Sequence, residues 1–118
     1  TRRRRHNAAQ YDRLLAGSGV TTPKVAEVCE HVYHQYSILS DRRDELAGYL
    51  RDRGIGSAVY YPVPLHQQKC FSHLGCKPGS LPLTEQMASR ILSIPCHPML
   101  SDEDVAYVAS SVSEFCKT

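Results

Sequence analysis

Glycine and proline cut this chain into short pieces, and that punctuation limits what it can fold into. Seven of each are spread over 118 residues, so every regular element has to be brief. Residues 2–16 read as a first helix: Ala8, Tyr11, Leu14 and Leu15 fall on one face, and Arg2 to Arg5 supply a solvated flank. Gly17-Ser18-Gly19 ends it. Residues 25–39 turn β-like, with the best-formed strand expected over 31–39. Asp41 reads as the N-cap of a second helix, with Asp44 and Glu45 at the positive end of its dipole, Leu46, Tyr49 and Leu50 as its stripe, and Gly54 as its stop.

Residues 57–61 suggest a second strand. Pro62 and Pro64 end it, since neither can donate a ladder hydrogen bond. Residues 67–81 are irregular, as functional or mobile loops of that length usually are. A third helix is expected over 84–92, with Met87, Ala88, Ile91 and Leu92 turned inward, and a third strand over 93–96. Ser101 and Asp104 have the spacing of a capping box. Val105, Val108, Ala109, Val112, Phe115 and Cys116 then recur at helical intervals. The order α-β-α-β-α-β-α predicts an α/β (α+β) fold: a small three-stranded sheet with helices packed on it, residues 1–118 forming one domain.

Composition narrows the class. With 42% hydrophobic and 22% charged residues the chain has the profile of an ordinary soluble domain. No apolar run approaches the ~20 residues of a membrane span, so no membrane role is expected. A net charge of +2 gives no reason to expect nucleic acid as partner. Five cysteines, an odd number without a framework, point to reduced thiols and a cytoplasmic setting. The start at Thr1-Arg2-Arg3-Arg4-Arg5, without an initiator Met, raises the expectation of a piece cut from a longer protein.

Chemistry-bearing residues concentrate in Tyr60-Tyr61-Pro62-Val63-Pro64-Leu65-His66-Gln67-Gln68. The two prolines stiffen an extended segment that can hold His66 at a fixed place, where imidazole can bond a sugar hydroxyl or pair with phosphate; an exposed histidine at a strand end is the plainer alternative. His66, Cys70, His73 and Cys76 have ligand types and intervals compatible with a tetrahedral zinc, against a loop that happens to contain them. The arginine run can contact phosphate or simply flank a helix. His31, Tyr33, His34 and Tyr36 are expected on alternating faces of the first strand, as satisfied buried groups, with His34 able to face a ligand at the strand end. Cys96-His97 reads as structural, because neighbours on an extended chain point to opposite sides. There is no Gly-rich phosphate loop, no Gly-x-Ser-x-Gly elbow and no His-Glu-x-x-His pair.

Taken in order, several motifs resemble one family. They are Ala9-x-Tyr11-x-x-Leu14, His31-Val32-Tyr33-His34-Gln35-Tyr36, Arg43-Asp44-Glu45-Leu46, Gly54-Ile55, Tyr61-Pro62-Val63-Pro64-Leu65-His66-x-Gln68, Leu81-Pro82-x-Thr84-Glu85 and Leu92-Ser93-Ile94-Pro95-x-His97-Pro98-x-Leu100. The sequence is similar to the C-terminal small domain of the DegT/DnrJ/StrS aminotransferases, nucleotide-sugar enzymes of fold type I that use pyridoxal phosphate. The resemblance implies a homodimer when full length and an amino donor, typically glutamate, that loads the cofactor before a nucleotide-linked keto-sugar takes the amine. It also implies that the Schiff-base lysine and the cofactor's other partners lie in a large domain absent here, with Lys24, Lys69, Lys77 and Lys117 in none of those roles. No catalytic, cofactor or metal residue is therefore expected in this chain. His66 matches the family's histidine toward the active site and is carried over as a substrate-side contact, with Tyr61 beside it. An isolated piece is expected to be inactive and to expose apolar surface that favours self-association. The alternative is a free-standing ligand-binding, zinc-binding or dimerising module.

Overall fold

In the computed structural model, which describes all of residues 1–118, the chain runs through α1 (Arg2–Leu14), β1 (Tyr36–Leu39) and α2 (Arg43–Asp52). Two 3-10 turns follow (Leu65–Gln67 and Lys69–Leu74), then α3 (Pro82–Arg90), β2 (Ile91–Ile94) and α4 (Asp102–Cys116). The mixed α+β class is as expected. The sheet, however, has two antiparallel strands rather than three, with Tyr36 opposite Ile94 and Leu39 opposite Ile91.

The missing strand shrinks to a single bridge. Ala58 exchanges both backbone bonds with Ser93, at 3.0 and 2.7 Å, and its neighbours make none with β2. Gly56 offers no side chain to pack before it, and Pro62 and Pro64 lack the donors to prolong it. A second bridge joins Thr21 to Leu39 on the outer side of β1.

The first strand is shorter than expected for a related reason. Tyr33 sits at φ +49°, a left-handed kink that breaks the extended run. Arginine side chains then take the carbonyls of His31, Tyr33 and His34, so only Tyr36 onward pairs in the ladder. The histidines and tyrosines of this stretch therefore do not alternate along a strand.

Tyr36 and Ile38 point to one face of the sheet, together with Leu92 and Ile94. Ala8 and Tyr11 from α1, Leu15 at its C-cap, Leu46 and Leu50 from α2, and the Val105–Phe115 stripe of α4 close over that face as one core. Leu14, expected inward, is instead partly exposed. Helix α4 begins with the capping box: Ser101 Oγ accepts from the Asp104 N–H at 3.1 Å, and the Asp104 carboxylate accepts from the Ser101 N–H at 2.9 Å. Helix α2 starts after Arg42 rather than being capped by Asp41, whose carboxylate lies 2.8 Å from Arg90 Nε as an ion contact. Gly54 ends α2 at φ +76° as expected, a left-handed turn that suits glycine.

Helix α3 passes into β2 without a loop. Ile91 and Leu92, expected at the helix end, belong to the strand, where pairing with Leu39 and Ile38 and burial of Leu92 outweigh helix propensity. Arg43 helps fix the junction by donating to the carbonyls of Ala88 and Ile91, both at 3.0 Å. No residue of α3 is buried, so Met87 and Ala88 do not join the core. No helix is long and apolar enough to cross a membrane.

Candidate functional site

Rigid backbone comes first. From Tyr60 to Gln68 the chain lies beside α3, and between them opens an apolar cleft of about 580 Å³. Tyr61, Val63 and Leu65 line one side, with Leu83, Met87 and Ile91 on the other. Tyr61 is 72% exposed and also borders a neighbouring hollow with Lys69. Its ring and hydroxyl are thus available to a bound molecule.

His66 does not line that cleft. Its side chain is only 7% exposed and faces Glu85 of α3, with Nε2 3.4 Å from Oε1 and no hydrogen bond formed by that nitrogen. Glu85 is held from several sides. The Gly79 N–H donates to both carboxylate oxygens, at 2.9 and 3.0 Å, and the Gln67 amide donates to Oε1. These bonds, Gly79's first, hold the Glu85 carboxyl below the usual carboxylate range, with His66 adding to the effect. The carboxylate gathers the 3-10 turn, the Gly79 turn and α3 at one point. In the sequence Glu85 stood out only within the Leu81-Pro82-x-Thr84-Glu85 motif, with no sign of this anchoring role.

The zinc reading finds no site. The structure assembles no group of three or more His, Cys, Asp or Glu that could hold a metal. Cys70 and Cys76 are exposed, and all five cysteines are free thiols. Cys96 is buried, and burial pushes its thiol up.

The arginine run is more than a solvated flank. Arg3 donates to the Leu100 carbonyl at 3.0 Å and pairs with Asp102 at 2.7 Å. Arg5 donates to the His31 carbonyl and pairs with Glu30, both at 3.0 Å. Arg4 Nη1 reaches three carbonyls at once: Tyr33 at 3.1 Å, His34 at 2.8 Å and Cys96 at 3.2 Å. These contacts tie α1 to the start of β1 and to the segment leaving β2. Arg4, His34 and His97 also line a polar groove of about 400 Å³ with Gln35, Ser57 and Ser93. His34, expected on the first strand, instead lies exposed two residues before β1, and the sequence gives no hint of Arg4's partners.

Comparison with known proteins adds the lineage. Residues 1–113 match the DegT/DnrJ/EryC1/StrS aminotransferase family. A pleiotropic regulatory protein of Geobacillus stearothermophilus is 46% identical over 98% of this chain and 32% of its own length. A UDP-N-acetyl-3-dehydro-alpha-D-glucosamine 3-aminotransferase of Acidithiobacillus ferrooxidans is 38% identical over 92% of the chain and 29% of its own length. Among solved structures, S. venezuelae DesV in complex with a ketimine intermediate superposes with a TM-score of 0.95 at 35% identity, over 98% of this chain and 32% of that one. A DegT DnrJ EryC1 StrS aminotransferase from Brucella abortus gives 0.90 at 36%, over 99% of this chain and 31% of that one. The chain thus spans about a third of the length of these relatives. Motif order, backbone path and family match agree along nearly every residue, and the chain belongs to the DegT/DnrJ/EryC1/StrS aminotransferase family.

Proposed function

We propose that this chain serves as the small domain of a pyridoxal-phosphate-dependent aminotransferase. The enzyme moves an amino group, with glutamate as donor, onto a nucleotide-linked keto-sugar and works as a cytoplasmic homodimer. The observation that carries this reading is the near-complete superposition on a ketimine-bound relative, supported by relatives named for sugar amination.

The chain's own residues do not fit the cofactor. Lys24, Lys69, Lys77 and Lys117 are all exposed. The hollow that Lys69 borders contains no carboxylate to partner a pyridine nitrogen. In this reading the lysine and acid that engage pyridoxal phosphate come from the remainder of the longer protein. What this domain contributes is substrate-side surface. Tyr61 offers an exposed phenol beside the apolar cleft, whereas His66 Nε2 is unpartnered but enclosed against Glu85, so its contact with substrate in this reading requires the turn to shift. Glu85 keeps the His66 turn against α3, so the stiff Tyr61–Gln68 segment presents Tyr61 with little freedom to lose.

The test is amino transfer by the native protein that contains this sequence, with glutamate and a panel of nucleotide-linked keto-sugars. Transfer is expected, and His66→Ala lowers turnover or nucleotide-sugar affinity roughly tenfold, the size of one lost hydrogen bond in a closed site, without unfolding the domain. No transfer to any member of the panel removes the reading. Unchanged kinetics in the variant remove the role of His66.

A further inference from the structure

The polar groove at the start of β1 contains a guanidinium that is fixed but not neutralised. Arg4 is half-buried, and its hydrogen bonds all leave from Nη1 to the carbonyls of Tyr33, His34 and Cys96. Its neighbours Arg3 and Arg5 have carboxylate partners; Arg4 has none. Neutral carbonyls orient the charge without cancelling it. Nε and Nη2 donate to nothing in the chain, and neither is a buried orphan, so both remain open to a ligand. A guanidinium edge with free N–H groups matches the oxygen spacing of phosphate and carboxylate, and bonds to such charged acceptors are about twice as strong as neutral ones.

The rest of the groove completes the match. His34 and His97 are exposed and line it from two separate segments, one before β1 and one after β2. Ser57 and Gln35 add polar groups, and no carboxylate is among the lining residues. Asp104, the acid whose charge reaches His97, is already committed to the Ser101 cap. A site with one held cation, two imidazoles and no acid selects for negative charge.

We propose that the Arg4–His34–His97 groove is an oxyanion-binding site that takes a phosphoryl or carboxylate group. It needs only the groove itself, so it stands or falls separately from the aminotransferase reading. The clamp also gives it preorganisation: the groups that recognise the anion are held in place by the contacts joining α1 to both strands.

The 118-residue chain is titrated with inorganic phosphate and, separately, with glutarate, at constant ionic strength set with chloride. Imidazole resonances locate binding and calorimetry measures affinity. His34 and His97 are expected to shift saturably with one common Kd, while His6, His31, His66 and His73 stay in place. Tighter phosphate binding assigns a phosphoryl source, and tighter glutarate binding a carboxylate source. The double variant His34→Gln, His97→Gln leaves the Arg4 clamp intact; it is expected to keep the melting temperature and weaken binding roughly tenfold. Arg4→Gln is expected to abolish binding, although loss of the clamp can also unfold the chain, which is why the double variant decides. Unsaturable shifts of all six histidines together, no heat with either anion, or unchanged affinity in the double variant overturns the proposal.

Discussion

Tyr36 shows how much one side chain can commit. It is fully buried, its hydroxyl donates to Asp12 Oδ1 at 2.6 Å, and its ring lies 5.0 Å from that of Tyr11, whose own hydroxyl donates to the Pro95 carbonyl at 2.7 Å. Burial, and then the bond to Asp12, pushes the Tyr36 phenol well up; burial does the same for Tyr11. A group raised in the folded state contributes stability that is complete below its unfolded value and disappears as pH rises through the folded one. Thermal melts are therefore expected to fall once the pH passes about 10, where unfolded tyrosine ionises. The buried thiol of Cys96 and the half-buried one of Cys116 act in the same direction from slightly lower pH. Tyr36→Phe separates the contributions: it should cost about 1.5 kcal/mol at neutral pH, as loss of a hydrogen bond to a charged group, and flatten the alkaline fall. An identical alkaline slope in the variant would remove the tyrosine from this account. The burial of Tyr36 was partly legible, since aromatic residues suit a half-buried strand. The reach of Arg4 to Cys96 was not, because its acceptor is a backbone carbonyl 92 residues away and every residue type carries one.

At the scale of elements, local chemistry was readable and pairing was not. The α4 cap depends on residues three apart, so Ser101 and Asp104 announced it directly. Strands need partners from elsewhere: the expected 57–61 strand pairs only through Ala58 before Pro62 and Pro64 withhold donors, and the Tyr33 kink shortens the first. The candidate site divided in the same way: a stiff Pro62–Pro64 segment could be read, but the position of His66 against Glu85 depends on how the Gly79 turn folds back. The cap supplies a clean test. Ser101→Ala is expected to cost about 1 kcal/mol, measured by denaturant or heat. The Asp104 carboxyl is held low, first by the Ser101 backbone N–H and then by its hydroxyl. A depressed acid contributes stability above its unfolded value, near pH 4, and loses it as pH falls through the folded value. The gap between wild type and variant should accordingly hold from neutral pH to about 4 and narrow below it. A gap unchanged at pH 2 would show that the Ser101 hydroxyl's bond to the Asp104 carboxylate plays no part.

The whole molecule is asymmetric. One side carries the close-packed face where α1, α2 and α4 cover the sheet. The segment from Tyr60 to Met87 instead leaves Tyr61, Val63, Leu65, Leu83 and Met87 substantially exposed around an apolar cleft of about 580 Å³. Monomeric soluble proteins rarely leave contiguous apolar surface of more than a few hundred Å² uncovered. The chain spans only 32% of the length of its Geobacillus relative, so partner surface from the rest of a longer protein is one natural cover. Without that cover, a second copy is the nearest apolar surface available. Light scattering on the 118-residue chain is therefore expected to report an apparent mass that rises with concentration. Leu65 and Leu83 are 69% and 68% exposed, so Leu65→Asp with Leu83→Asp should suppress the rise and leave the unfolding free energy within about 0.5 kcal/mol of the wild type. Association that persists in this variant would move the sticky surface to another face, and a constant monomer mass at high concentration would mean that the cleft tolerates water as it stands.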